Sequence, residues 1–353
     1  MKLSYAVALV VFVLAGAITV SAQTHFGLPF PVTIGGKVGF MDANCRMVIP
    51  ARYAEAMDFS EGLAAVEVGG KWGYIDEHGS LVIPPKFARA WFFSDGLASV
   101  VLDEQSALWG FIDTKGSLVI QPQFGMPLYF SEGLVEGYGV KDNVYNVPPG
   151  YVDKNGNYVI HVDEPGLAIQ FLVGFAEGLA RVSMLPKHAD GSVGPSKYGF
   201  IDHSGKWVIP RSFAAADDFH EGLAAATGPD GTWGYIDKTG QFVIAPRFEA
   251  AFEFSEELAA VRLGGRWGWI DKRGVMVIPP SFEAEEVGVF RSGMATLARD
   301  RKVGYVNKKG TMIVPPTLDV GSEFVDGVAL IQDRSSYKLI DTSGNVSCTL
   351  SKR

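Results

Sequence analysis

Cysteine is nearly absent from this 353-residue chain, which carries only Cys45 and Cys348. That excludes a disulfide-dense small scaffold and any zinc site built on paired thiolates. In an oxidising compartment the two could form one disulfide; two separate thiols are the alternative. After the first twenty residues no apolar run is long enough to span a membrane as a helix. Basic residues are in the minority, 31 Lys and Arg against 39 Asp and Glu, for a formal charge of −8. This argues against nucleic acid or anionic lipid as the main partner, because either is bound by a basic face that releases counterions. The histidines, His78, His161, His188, His203 and His220 among them, share no ligand spacing. Neither a Gly-rich phosphate loop nor a nucleophile elbow is present, and no metal or cofactor is expected.

What is there begins with a targeting pattern. Lys2 precedes an apolar run from Tyr5 to Val20, and Val20-Ser21-Ala22 offers small residues to a signal peptidase. The expectation is a signal peptide over 1–22, a mature N-terminus at Gln23 and a short lead over 23–36; an uncleaved anchor is the alternative. Cleavage would change the charge from 31 − 39 = −8 to 30 − 39 = −9. The mature protein is expected to be secreted or periplasmic, with no membrane span.

The dominant feature is internal repetition. One unit reads Lys71-Trp72-Gly73-Tyr74-Ile75-Asp76, then Glu77-His78-Gly79, then Ser80-Leu81-Val82-Ile83-Pro84-Pro85, and continues through Phe87 and Phe93-Ser94-Asp95-Gly96-Leu97-Ala98. Copies start at Trp109, Tyr198, Trp233 and Trp267, weaker ones at Val38, Gly150 and Val303, and a fragment at Leu339. The period of about 35 residues marks solenoids, propellers and arrays. Trp-Gly-Tyr-Ile and Leu-Val-Ile suit half-buried strands, and Asp76 to Gly79 suits a tight turn capped by the Asp side chain. Pro84-Pro85 is expected to end the second strand. An irregular link with Phe87 and Phe93 then leads to a third strand, Leu97 to Val100. The fold class is therefore all-β, in hairpin or three-stranded meander units. They form either an open curved array or a closed propeller-like ring, and a Cys45–Cys348 bond would decide for the ring. Trp is expected to pack on the adjacent unit, with Gly allowing the close approach.

These residues resemble the WG-repeat family of bacterial proteins, whose unit runs Lys-Trp-Gly-Tyr-Ile-Asp, Val-Ile-Pro-Pro and Phe-Ser-Glu-Gly-Leu-Ala. The resemblance extends from Lys37 to Asn345 and places a repeat domain over 37–345, with a tail over 346–353. The hairpins are also distantly similar to choline-binding-type cell-wall repeats. Family membership implies a β-repeat scaffold with an interaction role, and neither a reaction nor catalytic residues. The pattern breaks between 161 and 195, where the Pro-Pro element is missing and the spacing lengthens.

The recurring Asp42, Asp76, Asp113, Asp153, Asp202, Asp237 and Asp271 are read as turn caps. A second acidic series, Glu61, Asp95, Glu132, Glu177, Glu221, Glu256 and Asp326, precedes the Gly of the third strand, while Lys37, Lys71, Lys197, Arg266 and Lys302 form a basic one. The acidic series is either local pairing on a solvated face or a repeating surface for a cationic or polymeric partner. The functional expectation is an exported, noncatalytic scaffold binding a protein partner. The alternative is a cell-wall glycan binder using Trp72, Trp109, Trp233, Trp267 and Trp269 as shelves between hairpins. For either reading the candidate binding surface of the protein comprises those five Trp together with Glu61, Asp95, Glu132, Glu177, Glu221 and Glu256.

Overall fold

A computed structural model describes residues 29–105, 108–137, 140–141, 144–145, 149–162, 167–186, 192–332 and 335–352. The expected signal peptide over 1–22 and His188 lie outside the described residues, as do 163–166 and 187–191 of the irregular stretch. Among the described residues all regular structure is strand, arranged as nine antiparallel meander sheets plus a small ladder of Val140–Lys141 with Val144–Tyr145. The sheets are numbered here as blades 1 to 9, covering 29–53, 54–87, 88–124, 125–161, 162–213, 214–248, 249–282, 283–318 and 319–351. Strands Phe30–Ile34 and Val346–Ser351 belong to blades 1 and 9, so the repeat structure extends past 37–345 at both ends.

Blades 3, 5, 7, 8 and 9 have four strands, one more than the expected meander. The link read as irregular is strand Arg89–Ser94 in blade 3, paired with Leu97–Val101. Its Ala90 and Phe93 are buried, so the segment has an apolar face and a free edge to pair with. Blades 2 and 6 keep only isolated bridges there, Ala56 with Val66 and Ser60 with Leu63, and Ala216 with Ala226 and His220 with Leu223.

The Pro-Pro pair does not end its strand. Leu81–Phe87 runs through Pro84 and Pro85 as the edge strand of blade 2, where a missing N–H costs no ladder bond. The pairing jumps from Tyr74↔Ile83 to Trp72↔Phe87, so the prolines form an arch over Gly73. A Cβ on Gly73 would lie 2.5 Å from the Ile83 carbonyl oxygen and 2.7 Å from Pro85 N. The Gly of Trp-Gly therefore makes room inside its own sheet, where an approach between units was expected. Blade 9 is the internal control: Lys338 replaces the Gly, no proline follows, and Tyr337↔Leu350, Lys338↔Thr349 and Leu339↔Cys348 pair without an arch.

The turn aspartates act as caps. Asp76 Oδ1 accepts the N–H groups of His78 and Ser80 at 3.0 and 2.8 Å, and the same pair of bonds recurs at Asp113 and Asp271.

Blades stack through the turn that Asp caps. Each turn Gly seats against an aliphatic side chain of the preceding blade: Gly79 on Ile49, Gly116 on Ile83, Gly156 on Ile120, Gly205 on Ile160, Gly240 on Ile209, Gly274 on Ile244, Gly310 on Ile278 and Gly344 on Ile313. Aromatic pairs accompany them, such as Tyr74–Phe93, Tyr235–Phe254 and Tyr305–Phe324, with centroids 4.8 to 5.1 Å apart. The Tyr hydroxyls donate to carbonyls of the next blade, as Tyr74 does to Trp91 at 2.8 Å.

The ends meet. Blades 1 and 9 share a core of Phe30, Val32, Met41, Tyr337 and Leu339, and Tyr337 Oη accepts the Thr33 N–H at 3.0 Å. Cys45 and Cys348 are disulfide-bonded, with Cα atoms 5.7 Å apart. The closed, propeller-like ring is thus the arrangement adopted, and the open array and the two separate thiols are set aside. The irregular stretch falls within this order, since Leu167–Ala176 and Leu179–Pro186 are the first two strands of blade 5.

Candidate functional site

The acidic series is built into the seams between blades. Its members adopt positive φ, 52° at Glu61 and 54° at Asp95, and six of the carboxylates reach the following blade. Glu61 accepts the Gly96 N–H at 2.9 Å, Asp95 that of Gly133 at 2.7 Å, and Glu132 that of Gly178 at 3.0 Å. Glu177 accepts from Gly222 at 2.9 Å, Glu221 from Glu257 at 3.0 Å and Glu256 from Gly293 at 2.9 Å. The preceding serines add a second tie: Ser60, Ser94 and Ser255 donate to the Phe93, Phe130 and Phe290 carbonyls, each at 2.7 Å.

Cations of the following blade complete these seams, but they are not the expected basic series. Arg266 pairs with Glu283 at 2.7 Å and Lys302 with Asp319. The cations that meet the acids are Lys154 on Asp95, Lys238 on Glu177, Lys272 on Glu221 and Lys308 on Glu256, at 3.9, 3.2, 3.2 and 3.0 Å, and the His203 ring lies 3.3 Å from Glu132. All five stand immediately after a turn Asp or Asn, a spacing that is visible in the sequence.

The five tryptophans are not open shelves. Trp109, Trp267 and Trp269 are buried, and Trp72 and Trp233 are half-buried against neighbouring cores. Trp267 stacks on Phe252 at 5.2 Å and donates its Nε1–H to the Ala284 carbonyl.

A cluster that the motif analysis did not find lies across blades 4 to 7. The third residue after the unit Gly, or after Glu257 in its place, is Ala65, Ser99, Ala225, Ala260, Thr296 or Leu330 in other blades, but Glu136 and Arg181 in blades 4 and 5. Arg181 Nε donates to Asp218 Oδ1 at 3.0 Å, and its Nη1 donates to the Ala216 carbonyl and lies 3.7 Å from Asp217 Oδ1. His220 occupies a seam serine position, and its Nε2 reaches Glu253 Oε2 at 2.9 Å. Burial pushes the Glu136 carboxyl up to about 7, opposed by backbone N–H donors that include Gly174 and reinforced by the charge of Asp218. Burial lifts Asp217 to about 6 against the pull of Arg181, and lifts Asp218 as well. At His220 burial opposes the charged ring, but the bond to Glu253 outweighs it and raises the pKa. Arg181 with Asp218, and His220 with Glu253, bind across blade seams. Among the described residues no three His, Cys, Asp or Glu side chains are arranged to hold a metal. A groove of about 430 Å³ lined by Arg52, Tyr53, Val68, Gly79 and Leu81 lies elsewhere, at the seam of blades 1 and 2.

No curated protein matches the chain. Among solved structures it is similar to the CRINKLY WD40 ectodomain of the Arabidopsis thaliana receptor kinase ACR4, with 11% identity over 71% of this chain and 93% of that one and a TM-score of 0.35. The V. cholerae biofilm matrix protein Bap1 gives 10% identity over 90% of this chain and 65% of that one, with a TM-score of 0.21. The fission yeast SREBP–SCAP binding domains give 10%, 74%, 72% and 0.28. Likenesses at this level carry no argument about function. The family model of the WG containing repeat matches residues 39–72, 72–105, 109–135, 198–227, 233–267, 267–297 and 304–337, leaving out the stretch that holds Glu136 and Arg181. With more than half its residues matched, in phase with the blades, this chain belongs to the WG containing repeat family.

Proposed function

We propose that the protein is an exported, noncatalytic binding scaffold that holds a protein partner on the surface of its ring. One observation carries this reading: the recurring Asp caps its own turn, the Trp rings are buried or half-buried, and the seam acids and serines tie blade to blade, so the motif itself offers no repeated reactive group. What the ring turns outward is different. Several edge strands expose a valine, among them Val82, Val119, Val243 and Val277, on a backbone interrupted by proline. Prolines disfavour strand addition at that edge, so a partner would engage side chains, and several weak contacts around the ring would add. The Cys45–Cys348 bond supports an oxidising, extracytoplasmic location. Burial of three of the five Trp rings weakens the glycan-shelf alternative.

The test uses the mature chain, residues 23–353, as bait for envelope proteins beside a panel of cell-wall polysaccharides. The expected result is a protein that binds the purified ring saturably and is lost when Val82, Val119 and Val243 are changed together to Asp. Saturable binding of a polysaccharide with no protein ligand would replace this reading with the glycan one.

A further inference from the structure

The ninth seam is built differently from the other eight. Where the other blades present Gly in the Asp-capped turn, blade 1 presents Cys45, held at φ 55°. Where the preceding blade elsewhere presents an aliphatic side chain on its edge strand, blade 9 presents Cys348. The bond therefore stands in place of the Gly–Ile contact. Other ties are missing by residue type. Val325 holds the position of the seam serine and cannot donate, and Ala43 holds the position of Lys238 and Lys272 and carries no charge, an absence shared with the seams of Glu77, Thr114 and Thr342. Leu339 stands where Tyr74 makes its aromatic pair and its hydroxyl bond. The apolar cluster around Tyr337 and the Thr33–Tyr337 bond remain.

We propose that this seam is a redox latch: reducing Cys45–Cys348 parts blades 1 and 9 and opens the ring there, while the other eight seams hold. Cys348 is half-buried on an edge strand, whereas Cys45 is buried, so an incoming thiolate reaches the Cys348 sulfur and Cys45 leaves as thiolate. The second thiol of a dithiol reductant then displaces Cys348. Two electrons and two protons pass to the protein, giving two Cys thiols and one oxidised reductant disulfide. The partner surface of an exported ring would thereby answer to the thiol–disulfide state of its compartment. The latch does not depend on what the ring binds.

The experiment compares the oxidised mature chain with the same protein after dithiothreitol, by small-angle scattering and hydrogen exchange. Reduction is expected to increase the radius of gyration and to speed exchange roughly tenfold or more in strands Phe30–Ile34 and Ser336–Asp341, with blades 4 to 7 unchanged. Reoxidation should restore both. The double variant Cys45→Gly/Cys348→Ile rebuilds the seam on the pattern of the other eight and is expected to stay closed and indifferent to dithiothreitol. An unchanged radius and unchanged exchange in the reduced wild type would overturn the latch, as would a response to reductant in the double variant.

Discussion

Cys45 and Cys348 occupy the two positions that Gly79 and Ile49 occupy one seam further on, and their side chains are joined where those two only touch. The equivalence fixes the blade number. Eight seams follow the Gly–aliphatic pattern, the ninth follows the same geometry with a covalent bond, and no blade is left without a neighbour. It also explains why Cys45 tolerates a left-handed backbone, which the turn imposes in every blade and which Gly supplies elsewhere without strain.

The two recurring glycines should differ sharply in their tolerance of a methyl group. Gly73→Ala places Cβ against backbone, the Ile83 carbonyl and Pro85 N, which cannot move without breaking the arch. A loss of about 3 kcal/mol or more is expected, in the range of severe overpacking. Gly79→Ala meets the Ile49 methyl at 3.1 Å and keeps φ at 79°, for a loss of about 1–2 kcal/mol. Urea denaturation of both variants checks the ranking, and equal losses would show that the arch yields.

The seam carboxylates should be worth more as hydrogen-bond acceptors than as ion-pair partners. Glu177 accepts the Gly222 N–H and meets Lys238 at 3.2 Å, with both side chains partly exposed. Glu177→Gln is therefore expected to cost less than about 1 kcal/mol, because an amide oxygen can still accept, whereas Glu177→Ala should cost about 1–2 kcal/mol. A double-mutant cycle with Lys238→Met should give a coupling below about 1 kcal/mol. A larger coupling would mean that the ion pair dominates the seam.

The unit was legible because its signals are local. Trp-Gly, Asp-x-x-Gly and the alternation of Leu-Val-Ile each report a strand or a turn within a few residues, and the capping role of Asp76 followed from its spacing alone. The fourth strand was hidden because Arg89–Ser94 mixes one buried Phe with Trp91 and Phe92 and shows no clean alternation. The arch was hidden because proline is read as a strand end, and only the neighbouring strand reveals that it lies at an edge. The seams were illegible in principle from one unit. Glu61 and Gly96, or Arg181 and Asp218, meet across blades. A charged residue where the other copies carry Ala, Ser, Thr or Leu was the available sign for Glu136 and Arg181.

Removing the buried cation should destabilise the ring more than removing the acids it serves. Arg181 has 11% of its side chain exposed and sits among Asp217, Asp218 and the Ala216 carbonyl. Arg181→Met strands buried carboxylates, and a loss of about 3–5 kcal/mol is expected. Adding Asp218→Asn to it should recover part of that loss, since the remaining charge has less to oppose. Thermal and urea unfolding of the single and double variants decide this; a double variant less stable than Arg181→Met would contradict the charge account.

Stability should fall as the pH rises from mildly acidic toward neutral. Glu136 holds its proton up to about 7 in the fold, against 4.5 for an ordinary glutamate. A raised carboxyl pKa means that the folded state binds the proton more tightly, so the contribution is complete below 4.5 and is lost as the pH climbs through 7. Asp217, lifted to about 6, acts in the same direction, and so does the raised His220, whose charged form is favoured by Glu253. The capped turn acids Asp202, Asp237 and Asp271 have lowered pKa values and act oppositely, losing their contribution only as the pH falls below the ordinary aspartate range. The optimum is therefore expected near pH 4.5–5, with the Glu136 contribution declining by up to about 3 kcal/mol toward pH 8. Glu136→Gln cannot ionise and keeps an acceptor for Gly174, so it should flatten the decline by about half while leaving the acid limb in place. Denaturant titrations of both proteins at several pH values between about 4 and 8 measure the two slopes. If the variant declines as steeply as the wild type, the proton that matters is not on Glu136.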